Sequence, residues 1–129
     1  MIRLLLVEDE PNIGATLADL LDNSGYEVNW VRSRAEAAQT IREAAYDVAL
    51  LDVNLPDGTG FEVARSLQPT GTAMLFLTAM GDPDYRVQGL QLGAEDYILK
   101  PFHFAELQLR IRNALKRRDY LRATSGSAT

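Results

Sequence analysis

The sequence predicts an α/β fold, a parallel sheet of five strands with helices on both faces. Three observations predict it. Short apolar runs at 2–7, 27–31, 48–51, 73–77 and 97–99 are each followed by a stretch of helical periodicity. Strict β-α alternation of this kind buries a parallel sheet between two helical layers. The third run, Val48 to Leu51, is apolar at every position, as a strand covered on both faces must be. The chain of 129 residues, 47% of them hydrophobic, is also large enough for one core without staples.

The elements follow in order. After the first strand, Ile13, Leu17, Leu20 and Leu21 fall at i, i+4, i+7 and i+8, one stripe of a helix that Gly25 closes. After the second, Ser33 and Glu36 have capping-box spacing ahead of Ala37, Ala38 and Ile41. A short helix over 60–67 follows the third strand. Asp82-Pro83 suits an N-cap and first helical position after the fourth, and Gly93 ends that helix. Past Pro101, Leu107, Ile111, Ala114 and Leu115 mark the last helix, and residues 119–129, ending in SGSAT, read as a linker-like tail.

Charge limits the partners. Residues 1–109 hold 17 acidic and 7 basic side chains, and residues 110–129 hold 6 basic and 1 acidic. So acidic a body repels phosphate backbones, which argues against nucleic-acid binding by this chain alone. The basic end RIRNALKRRDYLR is expected to be the exposed face and end of a last helix. No apolar run approaches the ~20 residues of a membrane span, and cysteine is absent. A soluble cytoplasmic domain with no membrane partner is the expectation.

Open parallel sheets place their sites outside the carboxyl ends of the strands. There the first strand runs into Glu8-Asp9-Glu10, the third into Asp52, the fourth into Thr78 and the fifth into Lys100-Pro101. Singly, each has an ordinary role: Asp9 or Glu10 can cap the next helix, a threonine suits a strand, and a lysine is usually solvated. Together they make a chemistry. Clustered carboxylates raise one another's pKa unless a cation joins them. A hard ion such as Mg2+ takes oxygen ligands, and Glu8, Asp9, Asp52 and one backbone carbonyl form a partial shell for it. Thr78 and Lys100 would then surround the oxygens of a transferred phosphoryl group. Asp52 is placed as a nucleophilic carboxylate that forms an aspartyl phosphate.

The motifs LLLVEDE, VALLDVNLPDGTG, LFLTA and GAEDYILKPF, in this order, resemble the receiver domain of two-component response regulators. The resemblance covers residues 1–118 and implies a flavodoxin-like (βα)5 three-layer sandwich with strand order 2-1-3-4-5. It further implies that Asp52 is the phosphoacceptor, loaded from a sensor histidine kinase. Glu8 and Asp9 would be the acidic pair that holds Mg2+, with the Asn54 backbone carbonyl joining the shell. Thr78 and Lys100 would contact the phosphoryl oxygens, and Tyr97 would be the aromatic switch residue. Such a domain is a signalling phosphoacceptor, an enzyme only toward its own phosphorylation and dephosphorylation.

The stretch DYRVQGLQLGAEDYILKPFHFAELQLRIRNALKRR is similar to the fourth helix, fifth strand and fifth helix of OmpR/PhoB-type transcription regulators. That similarity implies a phosphorylation-dependent homodimer with Arg86, Glu95, Asp96, Glu106, Arg110 and Arg112 around Val87, Leu90 and Leu109. It also implies a DNA-binding output domain that this sequence does not include. His103-Phe104 and Tyr85 depart from the subfamily's usual residues, and His103 is expected to be structural or exposed. Two other classes compete. A haloacid dehalogenase-type phosphohydrolase needs a second Asp two residues past its nucleophile, where this chain has Asn54, and brings its metal-binding acids late in the chain. A flavin or nucleotide site needs a Gly- or hydroxyl-rich loop after the first strand, where this chain has three acids.

Overall fold

Leu4, Leu5 and Leu6 have no exposed surface, because their strand is paired on both sides and covered on both faces. The computed structural model describes residues 1–79 and 83–127. In chain order it contains β1 (Arg3–Val7), α1 (Pro11–Asn23), β2 (Glu27–Val31), α2 (Arg34–Glu43), β3 (Val48–Asp52), α3 (Gly60–Leu67), β4 (Ala73–Thr78), α4 (Pro83–Gln91), β5 (Asp96–Leu99) and α5 (Phe104–Ser127). A two-residue ribbon, Asn54–Leu55 against Gly58–Thr59, lies between β3 and α3. The five strands form one parallel sheet in the order β2-β1-β3-β4-β5. This is the flavodoxin-like order that the resemblance implied.

Side-chain alternation divides the core into two layers. Leu4, Leu6, Val48, Leu50, Leu75, Leu77 and Ile98 face α1 and α5, where they meet Leu17, Leu21, Leu107 and Ile111. Leu5, Val7, Ala49, Leu51, Met74, Phe76 and Tyr97 face the other side, where Ala37 of α2 and Phe61, Val63 and Leu67 of α3 cover them. At Gly89 of α4 a Cβ would stand only 3.1 Å from the Phe76 ring, so this helix lies close on the sheet. Of the expected α1 stripe, Leu17 and Leu21 are buried, Ile13 is half-buried and Leu20 is exposed.

Two helix starts follow the sequence reading and the last helix end departs from it. The cap of α1 is Glu10, whose Oε2 accepts from the Ile13 amide at 2.6 Å. Ser33 caps α2 as its spacing implied, accepting from the Glu36 amide at 3.1 Å. The cap expected at Asp82 and the Tyr85 side chain lie outside what the structure describes. Residues 119–127 do not begin an irregular tail, because they continue α5. No proline interrupts them, and Leu121, Arg122 and Ala123 are good helix formers.

The basic end is not wholly a solvated face either. Arg118 is buried, and its guanidinium donates to the Asp47 carboxylate at 3.0 Å and to the Asp47 carbonyl at 2.9 Å. The other carboxylate oxygen of Asp47 accepts from the Arg3 amide at 2.8 Å. One aspartate thus ties the starts of β1 and β3 to the far half of α5. Burial alone would raise the Asp47 pKa, but the Arg3 amide and the Arg118 charge hold it below the ordinary carboxylate value. A depressed pKa adds stability above the unfolded-state value that is lost as pH falls through the folded-state value. Asp47→Asn should therefore destabilise the chain at neutral pH by about 1 kcal/mol, lowering its melting temperature by roughly 3–6 °C. Melts across an acid series should show the gap to wild type closing below about pH 4.

Candidate functional site

Parallel pairing brings the strand ends to one rim. Asp52 on β3 stands opposite Leu77, and Thr78 on β4 stands opposite Leu99. The chain continues in register past the strands: the Glu8 amide donates to the Val31 carbonyl at 3.1 Å, and the Lys100 amide to the Thr78 carbonyl at 2.8 Å. The Lys100 side chain crosses the rim and bonds both Glu8 Oε1 and, at 3.1 Å, Asp52 Oδ2. Thr78 is 1% exposed at the end of β4. The peptide between Lys100 and Pro101 is cis.

Two of three clustered carboxylates, those of Glu8 and Asp52, meet that ammonium. Oxygens of Glu8, Asp9 and Asp52 all lie within 4.8 Å of one another. Glu8 is 1% exposed, and its pKa is pushed up to about 7, first by burial and then by the neighbouring Asp52 carboxyl, with Lys100 opposing. Burial would lower the Lys100 pKa, but the bond to Glu8 and the charge of Asp52 outweigh it and raise the value. Oxygens on opposite sides of an octahedral Mg2+ are about 4.2 Å apart, so this cluster has the span and the hard donors that suit such an ion. Among the described residues the Asp9 carboxylate has no hydrogen-bond partner, which leaves it available as a ligand.

The loop after β3 is held at both ends. Asp52 Oδ1 accepts from the Asn54 amide at 3.2 Å, and Asn54 then pairs with Thr59 across the small ribbon. Asp57 caps α2 from outside that helix, accepting from the Arg34 amide at 2.7 Å and the Ala35 amide at 2.9 Å. Those two amides hold its pKa below the ordinary value. Thr59 and Glu62 cap α3 reciprocally. The Thr59-x-x-Glu62 spacing announces this box in the sequence, and our reading of the sequence passed over it.

Tyr97 is inside the protein, 8% exposed, with its ring 6.1 Å from that of Phe76. The residues expected at a dimer face are only partly gathered. Val87, Leu90 and Leu109 are exposed, as is Arg86, and Leu99, which the sequence reading did not name, adds another exposed apolar side chain at the end of β5. Within the one chain Arg110 bonds Asp96 at 2.6 Å and Glu106 at 2.9 Å, and Arg117 lies 3.5 Å from Glu95. Arg112 falls about 200° round the helix from Arg110. Its charge is felt by the Tyr26 phenol, whose pKa burial raises and Arg112 tempers. Arg112 is therefore on a different side of α5 from the Asp96–Arg110 pair. His103 is exposed, and its carbonyl accepts from the Leu107 amide at 3.2 Å.

Comparison with known proteins agrees with this geometry. The family profile of the response regulator receiver domain matches residues 4–112. The transcriptional activator protein IrlR of Burkholderia pseudomallei is 42% identical over 117 residues, 90% of this chain and 51% of that protein. The chain thus spans about half the length of the curated relatives it matches. The non-phosphorylated HemR receiver domain from Leptospira biflexa superposes with a TM-score of 0.83 at 38% identity, covering 89% of this chain and 94% of that one. The response regulator TrrA from Thermotoga maritima, solved in complex with Mg2+ and BeF, gives a TM-score of 0.79 at 30% identity, covering 88% and 99%.

Gly60 is the other residue whose role the sequence reading passed over. Its amide donates to the Val53 carbonyl at 2.8 Å, and a Cβ there would stand 2.1 Å from the backbone oxygen of Asp52. Backbone cannot swing aside as a side chain can. Gly60→Ala should therefore cost about 1–3 kcal/mol, the usual range for forced overpacking. Urea unfolding with an unchanged m-value would measure it. A loss below half of that range would mean that α3 can start elsewhere.

Proposed function

The chain belongs to the response regulator receiver family, and from that premise we propose that it accepts a phosphoryl group on Asp52 from a sensor histidine kinase. The observation that carries this reading is Asp52 itself, whose two oxygens are held by the Lys100 ammonium and the Asn54 amide beside the Glu8–Asp9 pair. The oxygen–phosphorus bond to Asp52 forms as the phosphorus–nitrogen bond of the donor phosphohistidine breaks, and the electron pair leaves on the imidazole. Glu8, Asp9, Asp52 and the Asn54 carbonyl would hold Mg2+, which when bound neutralises charge on the phosphoryl oxygens. Lys100 holds the carboxylate in place before transfer and offers its ammonium to a phosphoryl oxygen afterwards. Thr78, at the adjoining strand end, offers its hydroxyl. In this proposal the chain catalyses only its own phosphorylation and dephosphorylation, in the cytoplasm.

The readout we propose is a homodimer of the OmpR/PhoB type that governs a DNA-binding output domain beyond residues 1–118. Support comes from the exposed Val87, Leu90 and Leu109 and from a relative named as a transcriptional activator. Thr78, drawn to a phosphoryl oxygen, would favour the inward Tyr97 ring, which packs on Phe76 against α4. The intrachain pairs of Arg110 place it between Asp96 and Glu106, so a second copy would meet a preformed charge cluster rather than a lone arginine. Rim pairs of this kind are individually worth only about 0–1 kcal/mol, which leaves the apolar centre as the main attraction.

Two measurements test this function. With Mg2+ and acetyl phosphate, wild type should gain one phosphoryl group that is lost in mild alkali, as an acyl phosphate is, and Asp52→Asn should gain none by intact mass. Labelling of that variant at the wild-type rate would overturn the assignment. Leu109→Asp should label like wild type yet shift the beryllofluoride-loaded chain toward monomer at least tenfold in dissociation constant, read by sedimentation equilibrium. Unchanged dimerisation would move the interface elsewhere.

A further inference from the structure

At the end of the edge strand β2 stand two donors, Trp30 within it and Arg32 just past it, that the site so far leaves unexplained. The Trp30 indole N–H donates to the Glu8 carbonyl at 2.9 Å. Two residues on, the Arg32 guanidinium donates to the Asp9 carbonyl at 3.2 Å. Between them the Val31 carbonyl accepts from the Glu8 amide. The last two residues of β2 and the one after it therefore grip the two residues that carry the acidic pair.

The grip is rigid at its other end as well. A Cβ on Gly14 would stand 2.2 Å from the Trp30 ring, so the indole is seated directly on the backbone of α1. A ring seated there, on a strand paired with β1, holds its N–H at a fixed point. An aromatic on an edge strand commonly serves packing alone. Packing does not require the N–H to meet the carbonyl of a residue whose side chain lies in the acidic cluster. The Asp9 carboxylate, without a hydrogen bond of its own among the described residues, takes its direction from that backbone.

We infer that Trp30 is a positioning residue for cation binding. Its indole N–H fixes the turn from β1 into α1 so that Glu8 and Asp9 present their carboxylates to a divalent cation, and Arg32 acts as a second, weaker clamp. The inference rests on the reading of Glu8, Asp9 and Asp52 as a Mg2+ site. Ligands held in place before binding lose less freedom when the ion arrives, and affinity rises accordingly.

The chain has a single tryptophan, so its one indole resonance is unambiguous. Mg2+ alone, titrated into 15N-labelled wild type, should move the indole N–H signal along the same saturation curve as the Asp9 and Asp52 amides. Trp30→Phe keeps a ring on Gly14 and deletes the donor. By calorimetry it should bind Mg2+ about twofold to fivefold more weakly, because the freed turn must be ordered when the ion arrives, and its metal-free melting temperature should fall by a few degrees for the lost hydrogen bond. Arg32→Gln, at an exposed position that cannot unfold the chain, should lose about twofold, toward the low end of the same range. Asp9→Asn separates the two readings. Wild-type Mg2+ affinity in Asp9→Asn would overturn the metal site itself. Lost affinity in Asp9→Asn beside wild-type affinity in Trp30→Phe would leave the metal site standing and overturn the positioning role. Should Trp30→Phe fail to fold, a motionless indole signal with unchanged affinity in Arg32→Gln would overturn it equally.

Discussion

Lys100 reaches across the end of β4 to bond Asp52 on β3 and Glu8 beyond β1. That reach spans two strand spacings to Asp52, about 10 Å, and only a long unbranched stem covers it. The contact is what lets two carboxylates sit at a rim where one of them is 1% exposed. Removing one partner of such a cluster leaves uncompensated buried charge, which costs more than the pair contributes. The sheet order is therefore not incidental to the site. β5 must be an edge on the β4 side, and β1 must lie next to β3, for one ammonium to bridge both acids.

Around this bridge the two sides of the rim are built differently. On the β3 side the loop is closed by the small ribbon, by Asp57 capping α2, by the Thr59–Glu62 box, and by Gly60 against the Asp52 carbonyl. Each of these contacts leaves Asp52 less room to move. On the β5 side the exposed apolar residues of α4, β5 and α5 face outward, with Arg110 drawing Asp96 and Glu106 together. Between the Asp52 loop and the outward face lies Phe76, whose ring neighbours both Phe61 and Tyr97.

Among the described residues the opposite rim holds a structural ion pair. There Asp47 accepts from Arg3 and Arg118 and joins the beginnings of two central strands to α5. The Asp47–Arg118 ion pair thus lies at the other end of the sheet from the crowded carboxylates of Glu8, Asp9 and Asp52.

The sequence by itself determined the class of fold and the identity of the rim. Alternating apolar runs and helical stripes dictate a parallel sheet, since only that arrangement buries Val48 to Leu51 on both faces. Parallel strands then carry Glu8, Asp9, Asp52, Thr78 and Lys100 to one end whatever the details. Local spacing also announced the Ser33 cap and could have announced the Thr59 box. What tertiary structure alone decided were contacts between residues far apart in the chain. Nothing near Arg118 in sequence shows that a residue in a basic run would be buried on Asp47, 71 positions away. Nothing near Gly60 shows that its missing side chain admits the Asp52 carbonyl, nor near Gly14 that it seats Trp30. The helical turn separated Arg112 from Arg110, although their charges looked alike in the sequence. Periodicity is a property of neighbours along the chain, whereas these contacts arise only after the sheet has brought distant segments together.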